Sequence, residues 1–423
     1  MSRPTDAPDP APGYAAVLRH PVAFRMLAAK GVSELGDFVG LAALLLLAYQ
    51  ETGSVLGPAV VYAARTLPAL LVATVFSGWL DVPRRRTALV VLSLAGGLLI
   101  SMPAAVPRAA VAVVAAGLLG AVRAAYRSVH TAVIAESVER STRLPFFGLS
   151  VVVNQVGQVG GVFAGASLTL AIGARTALVI DAISFLAAAI IFAGLPADSQ
   201  HARRQRPPAW EGVRIIWRNP VLRGLAIAAS ATMLSSSLPE TVAPGVAGRG
   251  WLPTVMAASA FGGALFAFVA SRGGLLDRVT NQLLVAAGLS GALFLGAVCL
   301  AADTPDWALA AANALIGAGA GWLIGAQATF AHLAPKERMG QVEATIVASN
   351  IVFSGLGLLG LGWLAATYDP ALAYLVAGAV LLVTLFAVRG VRLVADAGEP
   401  AEVERAANAE PRSARRAPGE VPR

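Results

Sequence analysis

A series of long apolar stretches is the feature that most constrains how this chain can fold. A helix needs about 20 apolar residues to cross the hydrocarbon of a bilayer. With 57% hydrophobic and only 13% charged residues, the chain has too little polar surface for a water-soluble globular protein. The sequence therefore predicts an all-α integral membrane protein. Its twelve predicted spans cover approximately residues 24–49, 54–80, 87–106, 109–132, 145–172, 175–195, 221–247, 251–271, 280–302, 305–331, 340–367 and 370–389.

The charges of the connecting loops predict the orientation of these spans. Basic residues concentrate in alternate loops, for example at 84–86, 203–206 and 272–278. Such loops lie on the cytoplasmic side, so both termini are expected in the cytoplasm. Basic loops also account for the net charge of +8, and no nucleic-acid partner is expected. Arginine greatly outnumbers lysine, as in GC-rich bacterial genomes, so a location in a bacterial inner membrane is predicted. The protein is expected to cross this lipid bilayer several times and to work as a monomer.

An internal repeat divides the spans into two groups. "RHPV" begins at Arg19 and "RNPV" at Arg218, each just before a long span. At a similar offset, Arg143 and Asn154 correspond to Arg338 and Asn350. Two parallel six-helix halves, with a site between them near the midplane, are typical of secondary transporters. The predicted regions are a disordered leader (1–18), a first bundle (19–195), a linker with a short surface helix (196–220), a second bundle (221–390) and a disordered tail (391–423).

The first span carries charges inside an apolar helix. Lys30, Glu34 and Asp37 fall within about 60° of one another around the helix axis. Such groups face a bundle interior or a wet cavity rather than lipid. Lys30 and Glu34 can form a structural ion pair, while Asp37, with Glu34, is a candidate for proton coupling or substrate contact. Arg65 on the second span lies at a similar depth and is a candidate partner of Asp37, which it either neutralises permanently or leaves free to exchange a proton.

The fourth span carries a second polar stripe. Arg123, Tyr126, Arg127 and His130 share one face of the helix. Two arginines on that face argue against packing alone. They could bind an anionic group of a substrate or pair with the acids of the first span, whereas His130 is the most easily explained by packing near the cytoplasmic mouth.

Uncharged polar residues supply further candidates for a substrate cavity. Asn154 and Gln158 lie on the fifth span, Gln327 on the tenth and Asn350 on the eleventh. Their amides can hydrogen-bond a ligand or a neighbouring helix.

Two more acids lie within predicted spans. Asp181, on the sixth span, is expected to face Arg175 in a structural role. Glu240 lies between Pro239 and Pro244 near the outer end of the seventh span. It fits either a gate or a simple helix end.

Several short motifs together resemble one family. They are "SELGD" at Ser33–Asp37, "TGS" at Thr52–Ser54, "ARTLP" at Ala64–Pro68, "DAISF" at Asp181–Phe185 and "WRNPVLR" at Trp217–Arg223. With them, the chain resembles the major facilitator superfamily (MFS), most closely the drug-exporting antiporters that include macrolide and siderophore exporters. The resemblance implies two pseudo-symmetric bundles of six transmembrane helices each.

Two family motifs occur in altered form. "GWLDVPRRR" at Gly78–Arg86 takes the place of a longer loop motif, and Val82 follows the acid where the family has arginine. The resemblance implies that Gly78, Asp81, Arg84, Arg85 and Arg86 form a cytoplasmic gate. In this gate Asp81 would be the acid of a charge latch between helix ends.

The second altered motif is on the fifth span. "GVFAG" at Gly161–Gly165 has Val162 where the antiporters have proline. Gly157, Gly161 and Gly165 still form a small-residue face suited to close helix packing.

The function predicted from these features is secondary active transport. The sequence contains no Gly-x-x-x-x-Gly-Lys-[Ser/Thr] loop for nucleotide phosphates, so a proton gradient is the expected energy source and no other cofactor is expected. The resemblance implies efflux of small hydrophobic or amphipathic molecules, a drug or natural product, by alternating access. The alternatives are proton-coupled uptake of a small anionic metabolite, or a sensor or partner protein that no longer transports. An enzyme is not expected, because no clustered nucleophile, base or metal site is visible.

Overall fold

The computed structural model describes residues 14–74, 84–196, 210–272, 274–335 and 338–389. In order, the helices of this described part are α1 (Tyr14–Arg19), α2 (Pro21–Thr52), α3 (Leu56–Thr74), α4 (Arg85–Ala105), α5 (Ala109–Ser137), α6 (Arg140–Ile172), α7 (Ala174–Ala193), α8 (Trp210–Arg218), α9 (Pro220–Ser235), α10 (Leu238–Val246), α11 (Leu252–Ala270), α12 (Val279–Ala301), α13 (Asp306–Ala320), α14 (Trp322–Leu333), α15 (Met339–Thr367) and α16 (Pro370–Ala387).

These helices build the twelve spans that the sequence predicts. Within the described residues, eleven segments are long and apolar enough to cross a membrane, and α3 occupies the remaining place as span 2. Helices α9 and α10 together form span 7, and α13 with α14 forms span 10. Spans 1–6 (α2–α7) make one six-helix bundle and spans 7–12 (α9–α16) the other. The predicted fold class, an all-α membrane protein of two six-helix bundles, is confirmed.

The two halves begin with the same local structure. The His20 side chain caps span 1 by accepting a hydrogen bond from the Ala23 amide at 3.2 Å. Asn219 caps span 7 by accepting from the Val221 amide at 2.9 Å. A proline follows each cap, where its missing N–H costs no helical hydrogen bond. The repeated Arg-x-Pro-Val sequence thus encodes one capping arrangement used twice.

The structure corrects the predicted end of the leader. Residues 14–18 were assigned to a disordered segment, yet they lie in α1. The reason is packing: Val17 is fully buried, and the Tyr14 ring lies 3.6 Å from where a side chain at Gly148 would begin. Residues 1–13 and the predicted tail lie outside the described residues.

Two spans predicted as continuous are broken. Span 7 is interrupted at Ser236 and Ser237, just before Pro239, whose ring cannot continue the hydrogen bonding of the preceding turn. Span 10 is interrupted at Gly321, between α13 and α14. Hydropathy averages over such breaks, so the sequence pattern did not show them.

Within the described residues, the hydrophobic core that joins the two halves lies at one end. We call the end where span 1 begins and span 12 ends the terminal face, and the opposite end the far face. A hydrophobic core at the far face includes Leu44 and Val162 of the first half with Met256 and Leu309 of the second. The core at the terminal face of the first half, by contrast, includes no described residue of the second half. The described contacts therefore close the far face.

The connection between the halves packs on span 11. The Glu211 carboxylate of α8 forms an ion pair with Arg338. Gly212 lies against the backbone of Gln341, too close for a larger residue. Trp217 and Val213 stay exposed on the other side of α8, as expected for a helix at a membrane surface.

Close packing of span 5 on span 1 depends on glycine. A Cβ at Gly157 would lie 3.2 Å from Glu34 Cβ, and one at Gly161 would lie 2.7 Å from the Leu35 carbonyl oxygen. A Cβ at Gly165 would lie 2.6 Å from the Val39 carbonyl oxygen. These small residues let the two backbones approach as in other membrane helix pairs.

Two neighbouring glycines provide a matched test of this contact. Gly161→Ala should destabilise the protein by about 1–3 kcal/mol, because the new methyl meets backbone that cannot move freely. Gly160→Ala should be neutral or stabilising by up to about 1 kcal/mol, because its Cβ would lie 3.7 Å from the flexible Leu35 side chain. Thermal unfolding in detergent measures both. Equal melting temperatures for the two variants would contradict the packing argument.

Candidate functional site

The acids of span 1 lie inside the first bundle. Glu34 is 8% exposed and Asp37 only 3%. One turn away on the same helix, Lys30 places its Nζ 2.8 Å from Glu34 Oε1. The spacing of four residues, which predicts this pair from the sequence, brings both side chains onto one face.

Arginines from two other spans complete the neutralisation of these acids. Arg123 of span 4 places Nη2 3.2 Å from Glu34 Oε2 and pairs through Nη1 with Asp37 Oδ2. Arg65 of span 2 places Nη2 3.5 Å from Asp37 Oδ1. The result is a line of alternating charges, which we call the charge chain: Lys30, Glu34, Arg123, Asp37 and Arg65.

A glycine lets spans 2 and 4 come close enough for this arrangement. A Cβ at Gly120 would overlap the carbonyl group of Arg65. Gly120 lies one turn before Arg123 on the same helix, so the close approach brings both arginines to the same carboxylate.

A small cavity lies beside the charge chain. Its volume is about 60 Å³, which holds a few water molecules but not a drug-sized ligand. Beyond the charge chain, its lining includes Ser33, Ser93, Tyr126, Arg127 and His130.

The other members of the span-4 stripe differ in their surroundings. The Tyr126 hydroxyl is buried without a hydrogen-bond partner among the described residues, and its ring lies 5.5 Å from that of His130. His130 is buried, with Nε2 3.5 Å from the Met26 carbonyl oxygen. Arg127 is exposed and has no ion pair within the described part of the chain.

The remaining cavity candidates are spread over both halves. Gln158 of span 5 reaches Glu240 of the second half. Asn350 of span 11 has a buried Oδ1 without a hydrogen-bond partner in the described structure. Asn154 is half-buried, while Gln327 is exposed on α14. The structure therefore brings together Lys30, Glu34, Asp37, Arg65 and Arg123, and it places one amide, that of Gln158, beside the buried acid of the second half.

The gate motif is only partly described. Gly78 and Asp81 lie outside the described residues, and Arg84 is exposed at the start of span 3. Arg85 places Nη1 2.5 Å from Glu136 Oε1 at the terminal-face end of span 4. Nothing in the sequence singles out Glu136, because its partner Arg85 lies on a different span. Arg86, the next residue in the chain, is half-buried.

Asp181 has a different neighbour from the one expected. Arg175 is exposed, whereas Asp181 is fully buried and accepts a hydrogen bond from Ser184 at 3.3 Å. A Cβ at Gly36 would lie 3.0 Å from Asp181 Oδ1, and one at Gly40 would overlap its carboxylate. The glycines on either side of Asp37 were the signal in the sequence that another polar side chain packs there.

The charge chain can be tested by its effect on stability. Arg123→Gln and Asp37→Asn should each destabilise the protein by about 3 kcal/mol, because the first takes one of its two cations from each buried acid and the second leaves Arg65 without its ion-pair partner. The double variant should lose less than the sum by about 1–2 kcal/mol. Arg127→Gln, a change of the same kind on the exposed neighbour, should cost little. Melting temperatures in detergent give all four values, and equal losses for Arg123→Gln and Arg127→Gln would contradict the assignment.

Known proteins share this architecture. Residues 27–286, more than half of the chain, match the Major Facilitator Superfamily. The nucleoside transporter NupG aligns over 87% of this chain and 98% of its own, with 13% identity and a TM-score of 0.67. A bacterial homologue of the human lysosomal transporter Spinster, in an inward-facing and unoccupied conformation, aligns over 90% and 96% with 16% identity and a TM-score of 0.59.

A further structural match has a bound small molecule. A POT family transporter in complex with 5-aminolevulinic acid aligns over 86% of this chain and 94% of its own, with 11% identity and a TM-score of 0.66. At such identities the likeness concerns the fold. No curated protein sequence matches the chain. From the sequence match and the shared twelve-span architecture, the chain belongs to the Major Facilitator Superfamily and is a multi-pass membrane transporter rather than an enzyme.

Proposed function

We propose that this protein is a proton-coupled exporter of small hydrophobic or amphipathic molecules that works as a monomer by alternating access. Its terminal face lies in the cytoplasm of a bacterium, in keeping with the basic loops at that end. The observation that carries the proposal is the charge chain at mid-depth in the first bundle. Ionisable groups inside transmembrane helices mark proton or ion pathways more often than simple packing.

Arg123 gives the charge chain a means of coupling. It contacts Glu34 and Asp37 at the same time. When one of these acids is protonated, its ion pair with Arg123 weakens and Arg123 pairs with the other acid. Because the acids belong to span 1 and the arginines to spans 2 and 4, this exchange favours a different arrangement of three helices. In this scheme Asp37 and Glu34 bind the proton, and Lys30 and Arg65 hold the remaining charge.

The closed far face is consistent with substrate entering from the terminal face. Gln158 and Asn350 offer amide hydrogen bonds on spans that pack against the opposite half. Alanine, glycine, leucine and valine make up most of the rest of spans 5 and 11. An apolar surface with a few amides suits amphipathic molecules.

Uptake of a small anionic metabolite is the second candidate, and Arg127 is the observation that favours it. This exposed guanidinium lines the cavity beside the charge chain, where it could bind a carboxylate or phosphate. Transport measured in vesicles under a reversed proton gradient separates the two directions. The substrates of the nucleoside and POT family transporters do not decide between them, because only the fold is shared.

Dye efflux from a pump-deficient bacterial host tests the main proposal. Cells expressing the protein should extrude a fluorescent cationic dye, and a protonophore should stop the extrusion. Asp37→Asn and Glu34→Gln should reduce efflux to the level of cells without the protein, since each removes a proton-binding carboxyl group.

Matched changes at exposed acids control for expression and charge. Asp277→Asn and Glu343→Gln alter residues on the surface and should leave efflux intact. Efflux that persists with the protonophore, or in both span-1 variants at equal expression, would contradict proton coupling through these acids.

A further inference from the structure

The break in span 7 places a carboxyl group where the two halves meet. Helix α9 ends at Ser235 and α10 begins at Leu238, with Glu240 in its first turn. Hydroxyl groups bond to the backbone around the break, as Thr241 Oγ1 does to the Leu238 carbonyl oxygen at 3.0 Å. Glu240 is only 4% exposed, so the break directs an acid into the interior of the protein.

The polar groups that interact with Glu240 belong to the first half. The Gln158 amide of span 5 lies within hydrogen-bonding reach of its carboxyl group. Tyr62 and Arg65 of span 2 lie close enough to interact with it electrostatically. Within the described residues, no cation forms an ion pair with Glu240. In this respect it differs from Glu34 and Asp37, whose carboxylates each contact two cations.

Arg65 connects Glu240 to the charge chain. Its Nη2 lies 3.5 Å from Asp37 Oδ1, a long contact for an ion pair. Its Nη1 is buried and has no hydrogen-bond partner in the described structure. The guanidinium therefore has an unused hydrogen-bond donor near Glu240, an acid of the opposite half.

The burial of Glu240 depends on the far-face seal. Its helix α10 packs against spans 1 and 2, and a Cβ at Gly245 near its end would lie 3.3 Å from the Tyr49 ring. Separating the halves at the far face would remove this cover and expose the carboxyl group to water on that side. An ionised carboxylate is tolerated there, whereas burying it without a paired cation is strongly unfavourable.

From this geometry we propose that Glu240 is a proton-binding site at the joint of the two halves, distinct from the acids of span 1. The inference rests on the proposed proton-coupled function. Glu240 takes up a proton when the far face is open, and the far face closes over the neutral carboxyl group. Before the far face reopens, the proton leaves toward the terminal face, and Arg65 compensates the carboxylate that forms. The site thus links opening of the halves to the charge chain.

A cysteine at the seal measures closure without any substrate. Ala59 of span 2 is fully buried, and a side chain at Gly362 of span 11 would overlap it. Cys299 is the only natural cysteine. Ala59→Cys in a Cys299→Ser background, reconstituted in liposomes, can therefore be labelled from the far face by a membrane-impermeant maleimide only when the seal opens.

The labelling rate should depend on pH through Glu240. Rates are expressed relative to that of a cysteine that stays exposed, because the thiolate that reacts with maleimide itself becomes more abundant as pH rises. On this relative scale, labelling of the otherwise unchanged reporter should rise with pH, by up to about tenfold per pH unit for one coupled proton. Glu240→Gln, a neutral mimic, should keep labelling slow at every pH. Glu343→Gln, an exposed acid in the same half, should retain the pH dependence of the reporter. Glu240→Ala provides a second neutral variant if the glutamine variant does not fold.

The outcomes distinguish this inference from the proposed function. Unchanged pH dependence in a folded Glu240→Gln or Glu240→Ala reporter, or labelling of the parent reporter that does not vary with pH, would overturn the role of Glu240. Dye efflux that ignores the protonophore would instead refute proton-driven export, whatever the labelling shows.

Discussion

Neutralisation of buried carboxylates is the constraint on which the first half of this protein depends. Glu34 and Asp37 lie inside a helix that is otherwise suited to lipid, and each acid is held by cations from more than one place. A carboxylate without such partners would be excluded from the bilayer interior. The positions of spans 1, 2 and 4 are thereby tied together, because moving any one of them breaks an ion pair. A transporter driven by protons, as proposed above, would need such a connection between charge and helix position.

Glycine allows the ion pairs to form at all. Membrane helices gain little from the hydrophobic effect when they associate in lipid, so close backbone contact and polar bonds hold them together. Gly120 admits the backbone of span 2 to span 4, and Gly36 and Gly40 admit the carboxyl group of Asp181 to span 1. The chain has 43 glycines. Those at crowded contacts bring distant charges into reach of one another.

The second half contributes fewer buried charges than the first half, and its buried acid makes contacts across the boundary between the halves. Its buried acid, Glu240, follows a break in span 7 and interacts with polar residues of the other half. Under the proposals above, rigid-body rocking of the halves would make and break contacts across the joint, whereas contacts within one bundle would change with protonation of its own acids. The acids of span 1 would then exchange protons around a shared arginine, and Glu240 would respond to contact between the halves.

The sequence by itself determined the spans, the two-half architecture and the residues that could carry charge. Length and hydropathy are local properties, so twelve apolar segments and the spacing of Lys30, Glu34 and Asp37 on one helix face can be read along the chain. The similar depths of Asp37 and Arg65 in the first and second spans also predicted that these two residues pair. Only the tertiary structure decided that Arg123 is shared between both acids, that Asp181 packs on span 1 and that Glu240 meets polar residues of the opposite half. Those contacts join residues far apart in sequence, and they depend on helix rotation and backbone approach, which hydropathy does not encode.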